Sequence, residues 1–200
     1  LIETEKLRRI SAESQFSALR NQVNPHFLFN SLNVLAHLIS TDPDKAQAFI
    51  GQFSWIYRYV LQVRDKSMVS LREEEEFLSS YLFLQTLRFE KNLAITVDIP
   101  EDCRDYFLPP LSLQLIIENA LKHNEISLAR PMKIEVRIEN GYLLISNTYQ
   151  PRKDKEESTG FGIDHLKLRY SYISDRKPEF SVQNGLYIAR IPLVSPHHQE

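Results

Sequence analysis

The spacing of apolar residues first changes close to residue 90, and no single-layer fold accommodates the chain on both sides of that point. Before that point a largely apolar line recurs at intervals of three and four, as in Leu19, Val23, Phe27, Ser31, Val34 and Leu38, the pattern of helices that each bury one stripe. From Leu93 the interval is two, with Leu93, Ile95, Val97 and Ile99 alternating with polar residues before Pro100, the pattern of a half-buried strand. A helical first part followed by mixed strands and helices reads as α+β. With 200 residues there is enough chain for two small cores.

Within the first part, Pro25 interrupts a helix that otherwise covers the first forty residues, so a local kink or bulge is expected beside His26. The segment TDPDKAQ supplies a stop and a restart, with Asp42 as N-cap and Pro43 in the first helical position. The second helix presents Ala46, Phe49, Ile50, Phe53, Ile56, Tyr57, Val60 and Leu61 on one face. A single partner helix cannot cover so wide a stripe, whereas a dimeric four-helix bundle can. Ser70-Leu-Arg-Glu73 has the form of a capping box and opens a third helix that runs to about Phe89. The domains expected are therefore 1–68, a helical dimerisation unit, and 90–200, an α/β sandwich, joined by a connecting helix over 69–89.

In the second part, a helix from about Pro110 to His123 precedes two strands, KIEVRIE and YLLISN, joined by Asn140-Gly141. A second hairpin joins EFSVQ to LYIARIPL through Asn184-Gly185, and Asn-Gly is the strongest short signal for a two-residue β-turn. A polar stretch, TYQPRKDKEEST, reads as a mobile surface loop and is followed by a helix after Gly160 and Gly162. One mixed or antiparallel sheet with helices on one face accounts for this order.

Composition excludes several functions. Lys and Arg number 24 against 26 Asp and Glu, a net charge of −2, so no strong field would draw in nucleic acid or an anionic membrane. The lone Cys103 cannot form an internal disulfide or a cysteine zinc site and fits a reducing cytosol. The six histidines lack metal-ligand spacing, and His197-His198 reads as a solvated tail. No apolar run approaches the roughly 20 residues of a spanning helix. The chain starts at Leu1 inside a charged helical pattern, so it is expected to be a cytoplasmic piece of a longer protein, which could be anchored in the inner membrane upstream.

Two stretches carry chemistry. Gln22, His26, Asn30, Asn33 and His37 form a polar line along the first helix, which turns His26 toward water or a cleft, with Phe27, Leu28 and Phe29 packing beyond it. By itself this also reads as the solvated edge of an amphipathic helix. An ordinary imidazole is largely neutral near pH 7 and has one free lone pair, so it can serve as a nucleophile. In LPPLSLQLIIENALKHN, Glu118, Asn119, Lys122 and His123 interrupt an apolar helix. Glu118 and Lys122, four apart, also fit a simple ion pair. Gly160-Phe-Gly162 ahead of a helix could bring backbone N–H groups close to a phosphate, or merely permit a tight turn.

Taken in order, NPHFLFNSLN, RFEKNL, LPPLSLQLIIENALKHN and GFGIDHLKLR resemble the catalytic core of the LytS/YehU-type sensor histidine kinases of bacterial two-component systems, from about Leu19 to Pro192. The resemblance implies a helical hairpin that dimerises as a four-helix bundle, followed by a GHKL-type α/β sandwich that binds ATP with Mg2+. It implies His26 as phosphoacceptor, Asn119 as the ligand of ATP-bound magnesium and Lys122 as a phosphate contact. His123, Asn147, Gly160, Gly162 and Arg169 complete the implied nucleotide site. Asn30, one turn beyond His26, matches a position that other histidine kinases use in dephosphorylation. No acidic residue adjoins His26, which leaves Glu118 as the candidate general base. A response regulator receiver domain is the implied partner, its aspartate taking the phosphoryl group.

Two departures keep a second function class open. Histidine kinases usually carry Asp-x-Gly-x-Gly after the strand read here as YLLISN, where this chain has Asn147-Thr-Tyr-Gln. Asparagine can still accept a hydrogen bond from an adenine amino group, more weakly than a carboxylate. His165 stands where the family has asparagine after the last glycines. The alternative is a dimeric module that binds a regulator or transfers phosphoryl groups without turning over ATP.

Overall fold

The structure, a computed structural model, describes residues 25–152 and 161–196. The chain divides into two compact units, Leu1–Ser54 and Trp55–Glu200.

In the first unit, helix α1 (Pro25–Thr41) is followed at once by α2 (Pro43–Gln62). The restart is chemical: Asp42 accepts the Lys45 N–H at 3.1 Å, and Pro43 occupies a position whose missing N–H costs nothing. Rings of Phe27, near the start of α1, and Phe53, well along α2, stack at 6.2 Å, so α2 runs back along α1 as a hairpin. Phe27, Leu38, Ala46 and Phe49 are buried. Phe29, expected to pack beside His26, is instead 66 % exposed, and Leu32, Ile39 and Ile50 are exposed as well. A helix begins to be described only at Pro25, so Gln22 and the expected kink lie outside the described residues.

The second unit starts within α2, whose tail stacks Trp55 on Tyr59 at 5.5 Å and Tyr59 on Phe77 at 5.0 Å. Strand β1 (Val69–Ser70) leads into helix α3 (Leu71–Phe89). The capping box is present: Ser70 Oγ accepts the Glu73 N–H, and Glu73 accepts the Ser70 N–H at 2.9 Å. Two further first-turn donors of α3, the Leu71 and Arg72 N–H groups, reach the carbonyls of Tyr106 and Arg104, so the helix start is satisfied throughout. Leu71, Phe77, Leu78, Tyr81 and Leu84 form its buried face, and Glu74 lies among them.

Strands β2 (Leu93–Asp98), β4 (Met132–Glu139), β5 (Tyr142–Thr148), β6 (Glu179–Gln183) and β7 (Leu186–Pro192) make one sheet in the order β2-β4-β5-β7-β6. β2 and β4 are parallel and the other pairs antiparallel, so the sheet is mixed. β3 (Phe107–Leu108) pairs separately with β1. Both hairpin tips have the expected backbone, with φ of 52° and 72° at Asn140 and Gly141 and 51° and 75° at Asn184 and Gly185, the left-handed pair that matches strand twist. Helices α4 (Ser112–His123) and α5 (Phe161–Ile173) complete the unit. Met132, Ile134, Val136, Leu143, Ile145, Ala189 and Ile191 of the sheet and Leu113, Ile116, Ile117, Leu166 and Tyr170 of the helices are all buried. Among the described residues no helix is long and apolar enough to cross a membrane.

Candidate functional site

The site is built around α4. Leu113, Ile116, Ile117, Ala120 and Leu121 are buried at the spacing of one helix face, and each buried aliphatic side chain stabilises that placement by roughly 1.5–3 kcal/mol. Glu118, Asn119, Lys122 and His123 are thereby left on the other side. The two prolines ahead of the helix keep Pro110 outside it, so α4 begins at Ser112 and not at Pro110. Leu111 turns into the helix with φ of 64°, a left-handed conformation that costs an L-residue about 1–2 kcal/mol. No side chain of its own caps α4.

The acceptor comes from another helix. Glu74, in α3, is wholly buried and accepts the Leu111 N–H at 2.6 Å and the Leu113 N–H at 3.1 Å. Burial pushes its carboxyl up to about 7, against the pull of these hydrogen bonds and of the Arg169 charge. Arg169 of α5 donates to the Pro110 carbonyl at 3.0 Å, so it braces the same turn from the other side. Burial lowers the Arg169 pKa, and the Glu74 charge opposes that.

Asn119 is half-buried, and its Nδ2 is buried without a hydrogen-bond partner among the described residues. Unsatisfied buried amides are uncommon, and this one sits on the polar side of α4. Lys122, one turn on, is exposed. Burial raises the Glu118 pKa, with Lys122 offsetting part of the effect. The Glu118 charge in turn contributes to raising that of buried Tyr81, behind the larger effect of burial.

Asn147, buried on β5, donates from Nδ2 to the Thr148 carbonyl at 2.8 Å. Gly162 lies in the first turn of α5, where an added Cβ would stand 2.6 Å from Leu115 Cδ1 of α4. Its lack of a side chain therefore serves close approach of the two helices. Gly160 and the KDKEES loop lie outside the described residues, as do His197 and His198. His165 is exposed on α5. In the first unit, His26 is the second residue of α1, Asn30 is half-buried, and Asn33 and His37 are exposed.

Two residues escaped the sequence reading. Asn124 is buried at the end of α4, where Nδ2 donates to the Ala120 carbonyl at 2.9 Å and Oδ1 accepts the Gln150 N–H at 2.8 Å. It ties the end of the site helix to the segment that follows β5, and Arg152 adds a bond to its backbone carbonyl. Glu74 sits in the run Glu73 to Glu76, four consecutive carboxylates that were not singled out. The available signal was position: Glu74 lies three residues from both Leu71 and Phe77, on the apolar stripe itself.

Comparison with known proteins places residues 14–93 in the family described as histidine kinase. The chain is 32 % identical over 203 residues to the sensor histidine kinase BtsS of Escherichia coli K12, covering 98 % of this chain and 36 % of the relative. It is 25 % identical over 213 residues to the sensor protein LytS of Staphylococcus saprophyticus, again over 98 % and 36 %. The chain thus spans about a third of the length of these curated relatives. Among solved structures, a bacterial phosphotransferase superposes with a TM-score of 0.48 at 14 % identity, over 87 % of this chain and 91 % of that one. The catalytic domain of the histidine kinase ThkA gives 0.41 at 15 % identity, over 64 % and 96 %.

Proposed function

This chain belongs to the LytS/YehU-type sensor histidine kinases, and from that premise we propose that it is a catalytic core which phosphorylates His26 from Mg-ATP and passes the group to an aspartate of a response regulator. The observation that carries the reading is Asn119, a polar side chain on the outer face of α4 whose buried Nδ2 has no partner among the described residues. Such a carboxamide suits a ligand that brings its own donors and acceptors, and an asparagine oxygen is an ordinary ligand for magnesium held by phosphates. Bound Mg2+ would supply charge neutralisation across those phosphates.

The roles of the chain's own residues follow from their chemistry. Lys122, exposed one turn beyond Asn119, offers a point charge to phosphate oxygens. Asn147 spends its Nδ2 on Thr148, which leaves the carbonyl end as the acceptor for an adenine amino group. Glu118, held above the usual carboxylate range by burial, is the stronger base for it and serves as proton acceptor. A ring nitrogen of neutral His26 takes the γ-phosphoryl group as ADP departs. Asn30 would orient water for a separate, hydrolytic dephosphorylation that releases inorganic phosphate. His123, Gly160, Gly162 and Arg169 belong to the frame of the nucleotide site, Arg169 by holding Pro110. The exposed Phe29, Leu32, Ile39 and Ile50 fit a dimer that completes a four-helix bundle. The intact protein would be anchored in the inner membrane through an upstream segment, with this piece in the cytoplasm.

One observation favours the module reading, in which ATP is not turned over: Asn147 replaces a carboxylate and half of its carboxamide is already engaged within the chain. Incubation with radiolabelled ATP and Mg2+ separates the two. The kinase reading expects acid-labile label on the protein, lost in His26→Ala and in Asn119→Ala. Unlabelled protein with no measurable nucleotide binding leaves the module.

A further inference from the structure

Glu74 has no part in the reaction just described, yet it is a carboxylate with 0 % exposure at the entry to the helix that carries Asn119. Two N–H groups, those of Leu111 and Leu113, point at its two oxygens. A carboxyl group can accept from both, because its oxygens keep lone pairs even when one carries a proton, whereas a glutamine would turn an NH2 group toward one of them. The Tyr59 hydroxyl from the tail of α2 lies 3.5 Å from Oε1. From α5, the charge of Arg169 acts on the carboxylate, and that of the carboxylate on Tyr170. Tails of one helix, the start of a second and the flank of a third therefore meet at one group.

We infer that Glu74 is a positioning residue of the nucleotide site: its carboxylate holds the left-handed turn at Leu111 and so sets the register in which α4 presents Asn119 and Lys122. This rests on the reading of that face as a nucleotide site. The reasoning is mechanical. A helix is stiff over the two turns from Leu113 to Asn119, about 9 Å, so a shift at its entry is carried to the carboxamide. Misplacement of a positioning group by about 1 Å weakens an oriented site by one or two orders of magnitude. Because the capping group comes from α3 and is itself met by Tyr59, the setting of α4 also depends on how α2 and α3 lie against each other within this unit.

The test measures Mg-ATP affinity by fluorescence of a labelled ATP analogue, alongside hydrogen exchange of the backbone, on the full chain. Glu74→Ala and Glu74→Gln are compared with wild type and with Gly141→Ala, which strains a hairpin tip away from α4. The expected result is affinity at least about tenfold weaker in Glu74→Ala and an intermediate loss in Glu74→Gln, with faster exchange from Leu111 through Asn119 in both. Gly141→Ala, though less stable, should bind within about twofold of wild type. If Glu74→Ala does not fold, Glu74→Gln alone decides. Wild-type affinity in Glu74→Gln with unchanged exchange in α4 overturns the inference, and so does an equal loss of affinity in Gly141→Ala. Should wild type bind no nucleotide, the kinase reading fails separately; the positioning role is then judged on exchange, which must rise through α4 up to Asn119 in Glu74→Gln or the inference falls.

Discussion

Replacing Glu74 by glutamine should flatten the dependence of stability on pH, and the size of the effect can be worked from the structure. Burial raises the carboxyl from an ordinary 4.5 to about 7 in the folded chain. Between those values the folded state holds a proton that the unfolded state has released, so stability falls as pH rises. The contribution is fully present below pH 4.5 and is gone above about pH 7. At about 1.4 kcal/mol for each pH unit, the interval corresponds to a loss of up to about 3 kcal/mol, most of it between pH 5 and pH 8. The group is wholly buried, so solvent screening does not reduce the figure. Glu73, whose carboxyl is lowered by Lys66 and Ser70 against the larger opposing effect of burial, acts with the opposite sign and at lower pH. The assay is urea unfolding from pH 5 to pH 8, followed by fluorescence of Trp55, the single tryptophan, whose ring is 5.5 Å from that of Tyr59. Wild type should lose about 2–3 kcal/mol across the range relative to Glu74→Gln. Parallel pH profiles for the two proteins would refute the argument, because no other group changes between them.

Two further outcomes follow from hydrogen bonds that single side chains complete. Ser70→Ala removes the oxygen that accepts the Glu73 N–H and should lower the free energy of unfolding by about 1 kcal/mol, with the helical circular dichroism signal retained. Asn124→Ala strands the Gln150 N–H and should cost about 1–3 kcal/mol; faster hydrogen exchange is expected at Gln150, and unchanged exchange there would count against the tie between α4 and the segment after β5.

Much of the second unit was legible because its signals are local. Asn140-Gly141 and Asn184-Gly185 can each satisfy two consecutive positive φ values, and few other residue pairs can. Alternation in KIEVRIE settles which side of the strand is buried without reference to any partner. The start of α3 was readable for the same reason, since the box formed by Ser70 and Glu73 closes within four residues. Less of the site could be read. An apolar helix interrupted at Asn119 and Lys122 identifies a candidate face, but nothing local to α4 reveals that its first donors are satisfied from α3. Gly162 illustrates the same limit: a G-x-G before a helix suggests access for a phosphate, and its contact with Leu115 depends on a helix some forty-five residues earlier.

What the sequence determined by itself is the order of elements, the polar interruption of α4 at Asn119 and Lys122, and the family to which the chain belongs, all carried by periodicity and by motifs within a few residues. Tertiary structure alone decided the strand order with its one parallel pair, the burial of Glu74 within a run of four glutamates, and the exposure of Phe29. The physical reason is one of range. Backbone conformation is set by neighbours along the chain, whereas burial, the ionisation of a carboxylate and the partner of an N–H group are set by whatever the fold brings beside them.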